Sequence, residues 1–176
     1  MINADAAIAN SLTRKVVLIL AIKGAAVLFA MFVFARFSPL IDAELYLEGA
    51  YPADAGLRTR VVNMLASALN RFGGVWFAHW VFGALSTSGL VYYFFTGGKR
   101  WVIILLLLLP SSFVWTSIVG KEALFVGGFT VSMVIWARFA CSELEWWEFL
   151  FLALAVTVCG IDRKSTRLNS SHGYIS

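Results

Sequence analysis

Two short polar stretches interrupt an otherwise apolar chain. The first, residues 38–48, reads SPLIDAELYLE and carries Asp42, Glu44 and Glu48, with Tyr46 among them. A carboxylate fixed where a membrane span ends can bind a metal or accept a proton from a sugar hydroxyl, if its neighbours tune its pKa. The same string also suits a solvated acidic loop. The second stretch, residues 110–124, reads PSSFVWTSIVGKEAL. Pro110 can kink or break a helix, several hydroxyls and Trp115 follow, and Lys121-Glu122 comes after Gly120. Lys121 is suited to hold the phosphate of a lipid-linked substrate as a point charge. Glu122 suits the first turn of a following helix, where its charge favours the dipole. Equally, the two residues can pair with each other and mark a helix hairpin. His79, between Ala78 and Trp80, reads first as a hydrogen-bonded bundle residue. The Trp146-Trp147 pair reads as an interface anchor.

Elements that could position these residues are long and apolar. Of 176 residues, 60% are apolar and 14% charged, and the mean hydropathy is +0.82, against roughly 45–50% and about 25% in a soluble domain. A hydrocarbon core of about 30 Å asks for about 20 consecutive apolar residues, and several windows meet or approach that. The expected fold class is all-α: a polytopic transmembrane bundle of about four to five spans in residues 1–161. The spans fall at 16–34, 75–95, 101–109, 123–137 and 149–160. Lys23 lies inside the first, close enough to its start to snorkel to the interface. Between the first two spans, residues 57–72 place Leu57, Val61, Leu65, Ala68, Leu69 and Phe72 on one helical face. Arg60, Asn63, Ser67, Asn70 and Arg71 fall on the other, the pattern of an interfacial amphipathic helix.

Loop charge sets the orientation. Arg14, Lys15, Lys99, Arg100 and Arg138 share one side if the spans alternate, which the positive-inside rule makes cytoplasmic. The N-terminus is then cytoplasmic in a multi-pass plasma-membrane protein, and the Asp42 segment and the Lys121-Glu122 corner share the outer face. Residues 162–172, DRKSTRLNSSH, resemble the translation of a common sequencing adapter. Residues 162–176 are therefore expected to be a non-native tail on the N-terminal part of a larger protein. Asp162, Arg163, Lys164 and Arg167 contribute +2 of the formal +4. The basic balance therefore gives no indication of nucleic acid as a partner. Cys141 and Cys159 have no spacing that indicates zinc or a disulfide framework.

No glycine loop for phosphate, HExxH or nucleophile elbow is present, and the sequence names no cofactor or metal. The two polar stretches together do carry a resemblance. Asp42 and Tyr46 form a D-x-x-x-Y segment that looks like the first outer loop of GT-C-type membrane glycosyltransferases. Pro110, Ser111, Trp115, Thr116, Ser117, Lys121, Glu122, Ala123 and Leu124 are similar to a segment of bacterial membrane proteins of exopolysaccharide and O-antigen assembly. The resemblance implies many spans, a polyprenyl-phosphate-linked sugar donor and catalysis at the outer face. Asp42 is then the acid or base, with Glu44 and Glu48 as alternates. Tyr46, Trp115, Lys121 and Glu122 are the expected substrate contacts, and the lipid bilayer is the other partner. The second acidic motif usual in that family is not clear here. A transporter or flippase of lipid-linked glycan is the alternative, with Lys23, His79, Ser86, Thr87 and Ser88 facing one lumen. A non-catalytic membrane subunit is the third possibility.

Overall fold

The computed structural model describes residues 2–37, 41–51, 56–97, 109, 113–141 and 145–160. Among these, every regular element is a helix. Helix α1 (Ile2–Phe29) runs into a π-helical segment (Ala30–Phe34) and the short α2 (Ala35–Phe37). Next come α3 (Ile41–Glu48), α4 (Leu57–Ser86), α5 (Ser88–Phe95), α6 (Lys121–Ala140) and α7 (Glu148–Gly160). Ser38, Pro110, Ser111, residues 98–108 and the 162–176 tail lie outside the described residues.

Two helical runs, Asn10–Phe37 and Lys121–Ala140, are long and apolar enough to cross a bilayer. A core helix of a soluble domain can have the same composition, but it is mostly buried. Here only 28% and 17% of the most apolar windows are buried. Phe32, Phe129, Met133 and Trp136 instead point outward. This is fewer than the four to five spans expected from hydropathy. The stretch 75–95 is broken. Ser86 Oγ donates to the Gly83 carbonyl and Thr87 Oγ1 to the Ala84 carbonyl, each at 2.7 Å. Thr87 itself leaves helical geometry at φ −95°, ψ 1°. Hydroxyls that bond back to nearby carbonyls compete with helix continuation, and apolarity alone does not reveal that. The apolar α7 has only 13 residues. The third expected span falls outside the described residues except for Leu109.

The border between the expected amphipathic helix and the second span is present as a kink in α4. Gly74 sits at φ 79°, ψ 177°, a left-handed region that glycine enters without a Cβ clash. The packed face of α4 differs from the expected one. Val62 and Ala66 are fully buried, whereas Leu57, Val61 and Phe72 are exposed. Docking of α3 turns α4: Ala43, Tyr46 and Leu47 share a core with Val62, Ala66, Ala78 and Phe82, completed by Val119 and Ala123. Helix α6 packs on α4, α5 and α7, and α1 packs on α4 and α5. At the α4–α6 crossing there is no room for a Cβ on Gly127 against the Leu85 carbonyl, the close backbone approach that small residues permit between helices.

Charges sort to the two ends. Lys15 Nζ lies 4.9 Å from the Phe94 ring centroid, and Arg138 Nε donates to Glu148 Oε1 at 2.8 Å. These two expected same-side cations thus meet neighbouring turns at one end of α5 and α6. Lys121 is at the other end of the 20-residue α6, about 30 Å away at 1.5 Å per residue.

Candidate functional site

Helix α3 distributes its polar residues by helical spacing, in which positions four apart share a face. Asp42 and Tyr46 are one such pair, Glu44 and Glu48 another. On the first face, Tyr51 Oη donates to Asp42 Oδ1 at 3.2 Å. Its ring stacks on Tyr46, with centroids 4.4 Å apart and planes 27° from parallel. Tyr46 is buried, and its hydroxyl has no hydrogen-bond partner. Burial, and after it the neighbouring Tyr51, push the Tyr46 phenol pKa up, and the Glu122 carboxylate adds to the effect. Burial likewise raises Tyr51. Both phenols therefore stay protonated donors.

The second face opens on a cavity of about 610 Å³ between α3, the end of the first helical run and α4. Glu44, Glu48, Asn70 and His79 are its polar lining, with Met31 and Val75 among the apolar residues. Asn70 Nδ2 donates to the Leu47 carbonyl at 3.1 Å, which pins the C-terminal turn of α3 to α4. His79 Nδ1 accepts the Val119 N–H at 3.0 Å. Asp42 is not among the lining residues, so the structure separates it from its two alternates.

Lys121 and Glu122 begin α6 behind Gly120, with no side-chain cap. Glu122 lies in the first turn as expected, and among the described residues it forms no ion pair with Lys121. The hairpin-pair alternative therefore lacks its bond. Arg58 enters this corner unannounced by the sequence. Its Nη2 donates to the Lys121 carbonyl at 2.8 Å, and its guanidinium lies 5.3 Å from the Phe125 ring centroid. Through Val119 and Ala123 this corner shares the Tyr46 core, so the Asp42 helix and the Lys121 corner occupy one end of the bundle. Trp115 is apart from them: half-exposed, it packs edge-on against Phe34 at 5.5 Å.

Two polar clusters were not legible as clusters. Lys23 does not snorkel. It is 1% exposed and donates to Thr116 Oγ1 at 2.5 Å and Ser117 Oγ at 3.3 Å. An ammonium inside a bundle needs oxygen acceptors, and the hydroxyls of the second polar stretch supply them. At the other end, Glu148 is fully buried. Besides the Arg138 bond it accepts from the Glu145 N–H at 2.7 Å and from the Tyr92 hydroxyl. The sequence offered a signal for this in one acid beginning an apolar helix ten residues after a lone arginine, but the partner could not be named without the packing. Compared with protein-family models, curated proteins and solved structures, the chain matches none.

Proposed function

We propose that the chain is part of a multi-pass plasma-membrane enzyme of cell-surface polysaccharide assembly, which transfers sugars from a polyprenyl-phosphate-linked donor at the outer face, with its N-terminus cytoplasmic. The observation that carries this is the pair of carboxylates, Glu44 and Glu48, lining a cavity at the same end of the bundle as the Arg58–Lys121 corner. The two outward-facing apolar helices support the membrane setting, and the collection of Lys15 and Arg138 at the opposite end agrees with the positive-inside argument.

In this scheme Glu44 or Glu48 takes the proton of an acceptor hydroxyl as its oxygen attacks the anomeric carbon of the donor. The bond from that carbon to the phosphate oxygen breaks, and the polyprenyl phosphate leaves. Lys121 and Arg58 would balance the charge gathering on the leaving phosphate. Asp42, held by Tyr51 on the neighbouring face, is the third candidate base. The transporter alternative draws on Lys23 and His79, but these close on Thr116, Ser117 and Val119 rather than lining a shared lumen.

The test replaces Glu44→Gln, Glu48→Gln and Asp42→Asn singly in the full-length protein and measures glycan product and membrane expression. Loss of product at normal expression in at least one variant is expected. Normal product from all three would sink the transferase proposal.

A further inference from the structure

The cavity beside α3 contains a donor whose use inside the protein is only half explained. His79 is 1% exposed and forms part of the cavity wall. Because its Nδ1 accepts the Val119 N–H, that nitrogen carries no proton, and the ring's hydrogen sits on Nε2. Among the described residues nothing accepts from Nε2. A buried donor without an acceptor is rare enough in folded proteins to ask for an explanation. Across the cavity stand Glu44 and Glu48, which when ionised only accept, and among the described residues no donor reaches either.

This lining selects a ligand by charge and by hydrogen-bond type. No Lys or Arg lines the cavity, so a phosphate or other anion would meet two like charges and no counter-charge. Among the described residues, no three His, Cys, Asp or Glu side chains converge tightly enough to hold a metal ion. An uncharged pyranose satisfies every group. Its hydroxyls donate to the two carboxylates, one oxygen accepts from Nε2–H, and its C–H face lies on Met31 and Val75. A volume of about 610 Å³ is within the usual range for small-molecule sites.

We infer that this cavity binds an uncharged saccharide and that His79 is the residue that donates to it. The inference rests on the transferase proposal only for the sugar's role there, as the acceptor. The phosphate of the donor belongs at the Arg58–Lys121 corner, on the other side of Val119.

The test is ligand-observed saturation-transfer NMR on the full chain in phosphatidylcholine nanodiscs. The probes are methyl glycosides of glucose, galactose, rhamnose and N-acetylglucosamine, with glucosamine and glucuronate as charged controls. Two substitutions separate the two edges of the ring. His79→Asn keeps an acceptor near Nδ1 for Val119 and removes the Nε2 donor, whereas His79→Gln keeps a donor near Nε2. At least one uncharged glycoside is expected to bind and glucuronate is not. His79→Asn should weaken binding roughly tenfold at an unchanged melting temperature, and His79→Gln should weaken it less. Equal binding by the unaltered chain and His79→Asn overturns the inference, as does binding of glucosamine alone or of no glycoside. If His79→Asn does not fold, the exposed pair Glu44→Gln/Glu48→Gln carries the same test, and unchanged binding overturns it. Binding is scored without turnover. A chain that binds a glycoside but makes no glycan keeps this inference and loses the transferase proposal, and the reverse result does the opposite.

Discussion

Glu148 and Glu48 are both glutamates at a helix terminus, yet their surroundings differ. Glu148 opens α7, where the helix dipole favours a negative charge. It is fully buried and engaged by Arg138, Tyr92 and the Glu145 N–H. Three bonds to the charged form outweigh the burial that disfavours it, which makes this a structural clasp joining α5, α6 and α7. Glu48 closes α3, where the dipole opposes its charge. It is exposed to a cavity, and no donor among the described residues reaches it. Nothing in the fold's own stability explains a carboxylate placed there. The contrast separates an acid that holds the bundle together from one left free to meet a ligand.

This comparison can be broken or sharpened by stability measurements on the full chain, each read as unfolding in detergent. The largest effect should come from Glu148→Gln, which leaves Arg138 facing a buried site without its counter-charge. Losing one partner of such a pair costs roughly 3 kcal/mol, and a loss below about 1 kcal/mol would reduce the clasp to a surface contact. Gly127→Leu comes next. It drives a side chain into the α4–α6 crossing, with an expected loss of about 1–3 kcal/mol, and unchanged stability would mean the two helices can part freely. The smallest effect belongs to Glu44→Gln with Glu48→Gln. Stability should move by no more than about 0.5 kcal/mol, while glycan product falls. A large destabilisation would place these acids beside Glu148 as structural and erase the contrast.

How much of this was legible follows from how local each signal is. The length of the first run and of α6 needs only composition, and the Gly74 break needs only a change of periodicity at 72–75. The α4 face was misjudged because Val61 and Val62 are equally apolar. Only the docking of α3 decides which is buried. Lys23 was misjudged because its acceptors, Thr116 and Ser117, lie more than ninety residues away. The site divides in the same way. The acids of α3 and the Lys121 corner were marked by their rarity in an apolar chain, whereas Arg58, the free edge of His79 and the parting of Asp42 from Glu44 depend on helix rotation.

The π-helical segment at Ala30–Phe34 bears on which mutations the first helix can absorb. A π turn accommodates one residue more than an α turn, and such turns frequently sit at functional sites. Met31 lies within it and Ala35 directly follows, and both line the cavity. Deleting any one residue between 30 and 34 would restore a regular helix and swing everything after it by about 100°, one residue's rotation at 3.6 residues per turn. Substitution in this segment changes a side chain, but deletion changes which side chains reach the cavity. The reading frame of the helix, counted in residues, is therefore part of the cavity wall.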